Sequence, residues 1–391
     1  MTWAGFLISL AGILLISRKN LALGLACGAL ILGAFTLPFG VVLDRVIFTL
    51  TNSTVVLLAA AMGIIPLLGG TMKQSGQVDA LVNNIRLSQR YLLPFSAALM
   101  GLLPMPGGAL LSAPILERGG QGVADSLKAA INNWFRHLFI LIYPLNPALI
   151  ISAKICQIDV YQSLIYLVPG FILALFLGYI FYLRKIHGQR VYSTGFSWSG
   201  LLVPLTVILA APVLDFGLKR LFSLGAAATV IGVSTGFLLS LTFSPRKLDL
   251  RAIAGRMKPW NFALIIIGMF LYLHIFQVSE ARSLIASLPL PPILLAVSAG
   301  FLLGFVTGRV QLPTSIVFPV YMAAADHVDL PVFALIYLAV YFGYMISPVH
   351  PCLVVTCEYF RIPLGGMIRQ LAWPVFIVFI AVLLAALYLV G

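Results

Sequence analysis

Two proline clusters of the same form lie inside long apolar stretches of the chain. One runs from Tyr143 to Pro147 and the other from Ser347 to Pro351, and their matching prolines are 204 residues apart. Two prolines spaced three apart remove backbone donors and prevent a continuous helix. A broken helix inside a bilayer is tolerated where protein or a water-filled cavity satisfies the freed backbone groups. The clusters therefore predict two interrupted membrane helices that line a polar interior.

The composition excludes a soluble protein. The chain is 61% hydrophobic and only 9% charged, whereas about a quarter of the residues in a soluble domain are charged. The net charge of +13 comes from short Lys and Arg clusters between apolar stretches, as in membrane proteins with basic cytoplasmic loops. We therefore predict an all-α polytopic protein of the cell inner (cytoplasmic) membrane, whose partners include the lipid bilayer but no nucleic acid.

Stretches long enough to cross a bilayer predict about ten transmembrane helices. We place these spans near residues 2–17, 21–43, 52–72, 130–153, 160–183, 199–215, 221–243, 260–279, 332–357 and 371–390. Gly and Pro interrupt two further apolar stretches, 91–116 and 290–322, which we interpret as re-entrant hairpins. With both termini outside the cell, seventeen Lys and Arg residues face the cytoplasm and five face outward.

The elements recur in the same order, which predicts an internal repeat. At a shift of 205 residues, Gly63 matches Gly268 and Pro114 matches Pro319. Five crossings separate the third span from the eighth, so the second copy would be inverted, as is typical of secondary transporters. The predicted regions are N-terminal scaffold helices over 1–51, repeat 1 over 52–183, a linker with scaffold helices over 184–259, and repeat 2 over 260–391.

The two breaks supply the first candidate site residues. Asn146 and His350 each lie directly before the second proline of their cluster. The half-helix after each break directs N–H groups inward, which favours an anion, while the carbonyls before the break suit a cation. We predict that Asn146 and His350 bind substrate. For the coupling ion, either Na+ or H+, the candidates are Tyr143, Asn146, Ser347 and His350.

The hairpin tips supply the remaining candidates. The small residues of the first tip let a ligand approach the backbone, and the polar residues of the second lie within an apolar stretch. The predicted substrate-binding residues there are Pro106, Gly107, Gly108, Ser112, Thr307, Gly308, Arg309, Thr314 and Ser315. Because a guanidinium in a membrane is costly unless paired or hydrated, we assign Arg309 to the anion. The alternatives are an ion pair with Asp326 and snorkelling to the surface.

Three other features bear on function. Arg136 and His137 are expected near the cytoplasmic end of the span 130–153, where they would snorkel or line a vestibule. All eleven Asp and Glu residues fall near loops or span ends, which weakens a carboxylate proton relay more than it weakens Na+ coupling. The four cysteines form no CxxC pair and are interpreted as small hydrophobic residues. We predict no metal ligands, no cofactor and no catalytic residues.

The paired hairpins and paired breaks resemble the ion transporter superfamily. Its members include gluconate permeases, citrate and dicarboxylate carriers and arsenite permeases. The similarity rests on the run from Leu103 to Ala109 and on both proline clusters, and it covers most of the chain. It is closest to an uncharacterised prokaryotic family of integral membrane proteins within that superfamily.

This resemblance implies an elevator mechanism and a homodimer, with the hairpin tips and the helix breaks lining the site. The dicarboxylate carriers have Ser-Asn-Thr triplets at both tips, whereas neither tip has one here. That departure weakens the case for Na+ coupling and for a dicarboxylate as the substrate.

Together these features predict a secondary active transporter for a small anionic solute, and not an enzyme. The alternative is an integral-membrane enzyme acting on a lipid-like substrate, which would need a carboxylate or metal cluster near His350, His137 or Arg309. A channel is disfavoured by the matched hairpins. The chain has no nucleotide-binding or hydrolase motif of the common types.

Overall fold

The computed structural model describes residues 2–102, 109–186, 188, 195–281 and 291–390. Within that part of the chain it contains 19 α-helices and no strand, so the all-α prediction is confirmed. The helices of the first half are α1 (Thr2–Ser17), α2 (Leu21–Thr36), α3 (Phe39–Thr51), α4 (Ser53–Ser75), α5 (Gln77–Asn84), α6 (Gln89–Leu102), α7 (Ala109–Gly119), α8 (Asp125–Leu141), α9 (Pro147–Ile155) and α10 (Val160–Phe181).

The helices of the second half are α11 (Trp198–Phe222), α12 (Gly225–Thr242), α13 (Leu250–Met257), α14 (Pro259–Val278), α15 (Pro292–Thr307), α16 (Gln311–Ala325), α17 (Leu330–Met345), α18 (Pro351–Phe360) and α19 (Leu364–Tyr388). Among the described residues, six helices are long and apolar enough to cross a membrane, namely α4, α10, α11, α12, α14 and α19. The protein is therefore a helical multi-pass membrane protein.

The predicted single span over 21–43 is wrong. The first helix in that stretch, α2, ends at Thr36, and α3 begins at Phe39. Between them Leu37 and Pro38 are extended, with φ −137° and −61°. The ring of a proline disfavours the helical conformation of the residue before it, and this restriction on Leu37 ends α2.

Both proline clusters separate two short helices. The first lies between the end of α8 at Leu141 and the start of α9 at Pro147, and the second between α17 and α18, which begins at Pro351. A proline at the first helical position has no N–H to leave unpaired, which is why each second half begins there. The breaks expose backbone groups inside the protein.

The helices form two layers. The scaffold layer contains α1, α2, α4, α11, α12 and α14, where α2 and α4 both pack against α14 and α12 packs against α4 and α11. The core layer contains α6 to α9 and α15 to α18. The helix α14 also packs against α16 and α9, so it joins the two layers.

Contacts within the core layer follow the same pattern in both halves. The first helix of each hairpin packs against the first half of the following broken helix, α6 on α8 and α15 on α17. A Cβ at Gly101 would overlap the carbonyl of Arg136, and a Cβ at Gly304 would overlap that of Val340. The second helix of each hairpin packs on the broken helix of the other half of the chain: α16 packs on α9, and α7 packs on α18.

Candidate functional site

A cavity of about 470 Å³ lies where the core layer meets the scaffold layer. The wall formed by the scaffold layer is apolar. Its lining side chains come from α2, α4 and α14, and they are Leu21, Met62, Phe262, Ile265 and Ile266. No polar side chain of that layer is among the described lining residues, so this wall offers a ligand little beyond van der Waals contact.

The opposite wall, formed by the core layer, carries the polar groups. Its most polar lining residues are Arg136, His137, Asn146, Arg309, Gln311 and His350. Two of them are guanidinium groups, and none of the described lining residues is Asp or Glu. The cavity is therefore positively charged, and an anion would be attracted to it.

Arg136 lies on α8, five residues before that helix ends. Its side chain is only 3% exposed, and its Nε and Nη1 have no hydrogen-bond partner within the described structure. The expectation that it snorkels is therefore wrong. The predicted span began at 130, whereas α8 begins at Asp125, and this shift moves Arg136 from the membrane edge to the break.

Arg309 follows the left-handed residue Gly308, which has φ 60° and joins α15 to α16. Its partly buried side chain lines the cavity. The structure gives it no ion pair with Asp326, which lines a separate cavity of about 340 Å³ with Gln157 and Gln277. The alternative of an Arg309–Asp326 pair is therefore wrong.

Asn146 closes the first break with its side chain. Its Nδ2 donates to the Ile140 carbonyl at 3.0 Å and to the Tyr337 hydroxyl at 3.1 Å. Its Oδ1 accepts from the Ala148 N–H at 3.1 Å. All three bonds are internal, and Asn146 ties the first broken helix to the second.

His350 occupies the equivalent position in the second break. It is 1% exposed, and neither ring nitrogen has a hydrogen-bond partner within the described structure. Its ring centroid lies 4.1 Å from that of Tyr344 and 4.6 Å from that of His137. An unpaired buried imidazole costs free energy, so this ring is available to a ligand from the cavity.

The structure does not bring most of the predicted hydroxyls to the cavity wall. Thr307 donates to Leu303 O at 2.7 Å, Thr314 to Val310 O at 3.0 Å, and Ser315 to Leu312 O at 2.8 Å. The acceptor carbonyls lie in the same helix as the donor or, for Thr314, on the residue just before that helix begins. Ser112 is buried and donates to Ala109 O. The predicted tip residues Pro106, Gly107 and Gly108 lie outside the described residues.

The two other coupling-ion candidates also stay away from the cavity wall. Tyr143 is partly buried, and its carbonyl accepts from the Asn146 N–H at 2.9 Å. Ser347 is fully buried, and its hydroxyl accepts from the Val349 N–H at 3.3 Å. Both residues shape the turns at the breaks.

Asn132 and Asn133 connect the two broken helices. The Nδ2 of Asn132 donates to the Thr356 hydroxyl at 3.1 Å, and that of Asn133 donates to the Met345 carbonyl at 3.3 Å. Conversely, the Tyr341 hydroxyl donates to the His137 carbonyl at 2.7 Å. These bonds hold the two breaks next to each other.

One acidic residue lies deeper than its sequence position suggests. Asp215 is 1% exposed within α11, which continues to Phe222. It accepts from Tyr161 at 2.5 Å, Thr229 at 2.7 Å and Lys219 at 2.8 Å. The predicted span over 199–215 therefore ends too early, and Asp215 is buried inside the protein. Because Asp215 is fully bonded, it stabilises the packing of α10, α11 and α12.

His137, His350 and Cys352 form a cluster that the sequence analysis missed. Each offers one ligand atom, and these atoms all lie within 4.8 Å of one another on the cavity wall. His137 is 213 residues before His350, so spacing along the chain gives no signal. Packing of α8 against the second broken helix brings them together.

Comparisons with known proteins identify the family and support the fold. Residues 4–390 match the family model described as Protein of unknown function (DUF401), so the chain belongs to that family. The curated proteins give no match. The crystal structure of the Alcanivorax borkumensis YdaH transporter, described as having an unusual topology, is similar to this one, with TM-score 0.58 and 14% sequence identity over 98% of each chain. At that identity the similarity shows a shared fold.

Proposed function

We propose that this member of the DUF401 family is a secondary active transporter for a small anionic solute. The observation that carries the proposal is the cavity with two guanidinium groups and no described carboxylate, set between two broken helices. The fold shared with the YdaH transporter agrees with it.

Arg136 and Arg309 are the proposed anion ligands. A buried guanidinium without partners costs several kcal/mol of stability, on the order of 3 or more. An anion in the cavity would supply the acceptors that the Nε and Nη1 atoms of Arg136 lack. The planar fork of arginine suits the two oxygens of a carboxylate or phosphate.

The helix breaks add to the positive potential. The second halves α9 and α18 begin at Pro147 and Pro351, and both prolines line the cavity. The N-terminus of a helix carries a partial positive charge and free N–H groups that bind anions. At α9 the Asn146 side chain already accepts from the Ala148 N–H, whereas α18 has no side-chain cap, so α18 offers N–H groups to the same ligand as the two arginines.

The contrast between the walls supports an elevator mechanism. We propose that the core layer carries the solute while the scaffold layer stays fixed. A smooth apolar wall, with side chains such as those of Met62 and Ile266, lets the core layer slide along it without breaking hydrogen bonds. The matching contacts of α6 on α8 and α15 on α17 support the inverted repeat. We further propose ten crossings with both termini outside, an inner-membrane location, a homodimer and membership of the ion transporter superfamily.

The gradient that drives transport is proposed to be Na+ or H+. The backbone carbonyls at the two breaks are the proposed Na+ ligands, as in transporters whose unwound segments coordinate Na+. His350 is the proposed site for H+, because it lines the cavity and both of its ring nitrogens lack a hydrogen-bond partner among the described residues. The two ions predict different responses to imposed gradients.

Uptake into proteoliposomes tests this function. Labelled lactate, succinate, phosphate and sulfate are offered to the wild-type protein under an imposed Na+ gradient, an imposed pH gradient and no gradient. We expect uptake of one anion class that rises with one gradient, and counterflow of labelled anion without any gradient. If no gradient drives uptake of any of the four anions, or if flux occurs without counterflow, the protein is not the proposed carrier.

An integral-membrane enzyme acting on a lipid-like substrate is the second candidate function. The cluster of His137, His350 and Cys352 favours it, because such groups can hold a catalytic metal. The described lining of the cavity offers no carboxylate to serve as a general base. Incubation with labelled membrane lipids, followed by chromatography, would reveal a product if this function were correct.

A further inference from the structure

The cluster of His137, His350 and Cys352 has the chemistry of a metal site. Two imidazoles and one thiol are ligands that soft and borderline transition metals prefer over Mg²⁺ or Ca²⁺. The three ligand atoms lie within 4.8 Å of one another. Tetrahedral zinc with these ligands places them about 3.3–3.6 Å apart, so a movement of about 1 Å by the side chains closes the site.

One ring nitrogen of His137 is bonded to a backbone carbonyl, as in many metal-binding histidines. Its Nδ1 lies 2.5 Å from the Asn133 carbonyl oxygen. A carbonyl can only accept, so Nδ1 carries the proton and Nε2 keeps its lone pair in the neutral ring. Histidines that bind metals almost always donate their other ring N–H to such a carbonyl or carboxylate.

His350 supplies a second, independent observation. It is 1% exposed, and both of its ring nitrogens lack a hydrogen-bond partner in the described structure. The ring packs against those of Tyr344 and His137, and the lone pair of its unprotonated nitrogen is left for an ion. A metal bond would replace the hydrogen bonds that this buried ring lacks.

Cys352 completes the set from the first turn of α18. It is partly exposed and, like both histidines, lines the 470 Å³ cavity. An ion that reaches the cavity therefore reaches all three groups. Binding converts the thiol to a thiolate, and this negative charge offsets part of the charge of the ion and of Arg136 nearby.

We propose that His137, His350 and Cys352 bind one transition-metal ion of the Zn²⁺ type, with the fourth position open to the cavity. The ion would connect α8 to the second helix break and would thereby link the two halves of the core layer. The proposal concerns metal binding and does not depend on transport.

Cobalt spectroscopy on the purified, metal-free full chain in detergent tests the site. We expect Co²⁺ to produce a thiolate-to-cobalt charge-transfer band in the near ultraviolet, saturating at one ion per chain and abolished by Zn²⁺. Cys352→Ser should lose this band. Cys357→Ser is the matched control, because Cys357 lies on the same helix outside the cluster, and it should keep the band.

The histidines are tested by affinity. His137→Ala and His350→Ala should each weaken Co²⁺ binding by at least about tenfold. A wild-type protein without the charge-transfer band, or a band that persists in Cys352→Ser, would overturn the proposal.

A measurement on the wild-type protein decides the matter even if a variant does not fold. X-ray absorption of the zinc-loaded chain should show one sulfur near 2.3 Å and nitrogens near about 2.0–2.1 Å. A shell of nitrogen and oxygen alone would contradict the assignment. Both readouts are independent of the uptake assay, so failure of the metal site and failure of the carrier are distinguishable.

Discussion

Asn146 and His350 occupy equivalent positions 204 residues apart, each directly before the proline that begins the second half of a broken helix. The side chain of Asn146 makes three hydrogen bonds to its surroundings. The ring of His350 makes none with the described residues. The same type of helix break thus carries two chemically different side chains. The difference indicates that the first break is held by hydrogen bonds, while the second is open to a ligand.

The largest effect on stability is expected for Asn146→Ala. The substitution leaves the Ile140 carbonyl, the Tyr337 hydroxyl and the Ala148 N–H without their partner. We expect the free energy of unfolding to fall by about 3 kcal/mol, measured by denaturation in mixed micelles. Asn20→Ala is the control, since Asn20 is an exposed cap of α2 and should cost about 1 kcal/mol. If the two variants lose the same free energy of unfolding, Asn146 contributes no more than an ordinary helix cap.

Gly308→Ala should disturb the second break directly. Gly308 has φ 60°, and a Cβ there would lie 2.9 Å from the backbone of Val349 and His350. The left-handed conformation and the close approach together are expected to cost about 2 kcal/mol. Gly365→Ala on α19, where a Cβ meets nothing within 4 Å, should leave stability unchanged or higher. A Gly308→Ala protein that melts like wild type would show that the break can move.

Tyr337→Phe removes the hydroxyl that accepts from Asn146. We expect a loss of about 1 kcal/mol, and almost no further loss when the substitution is made in the Asn146→Ala protein, because the two residues share one bond. Thermal melts of the four proteins in this double-mutant cycle measure the coupling. Tyr166→Phe serves as control, since Tyr166 is 43% exposed. Additive losses would mean that the bond contributes nothing.

The smallest effect on stability is expected for His350→Leu. Replacement of an unpaired buried ring by an apolar side chain leaves no polar group unsatisfied, so stability should change by less than about 1 kcal/mol. The same denaturation measurement applies. If this variant loses as much stability as Asn146→Ala, the two breaks are alike and the comparison fails.

The breaks could be predicted from the sequence because proline acts locally. Pro144, Pro147, Pro348 and Pro351 remove donors from their own helices wherever the chain folds, and the structure has helix ends at both clusters. The same reasoning applied to Pro38 would have divided the stretch 21–43.

The position of Arg136 could not be predicted from hydropathy. The first turn of α8 contains Asp125 and Lys128, which looks like a loop in the sequence. The helix dipole favours an acidic side chain such as Asp125 in the first turn, and Lys128 pairs with it at 2.6 Å, so the helix begins earlier than its apolar run. The other residues that line the cavity with Arg136 come from distant segments, and the sequence has no local signal for that packing.

Anion titration of the arginine variants tests whether the two guanidinium groups of the cavity hold the solute. For the anion class found by uptake, calorimetric titration compares wild type, Arg136→Gln, Arg309→Gln, the double variant and Arg184→Gln, a control on an exposed arginine. Each cavity arginine should contribute about tenfold or more to affinity, while Arg184→Gln should bind like wild type. A double variant that binds within about threefold of wild type would contradict the account, since its cavity would then hold the anion without either guanidinium.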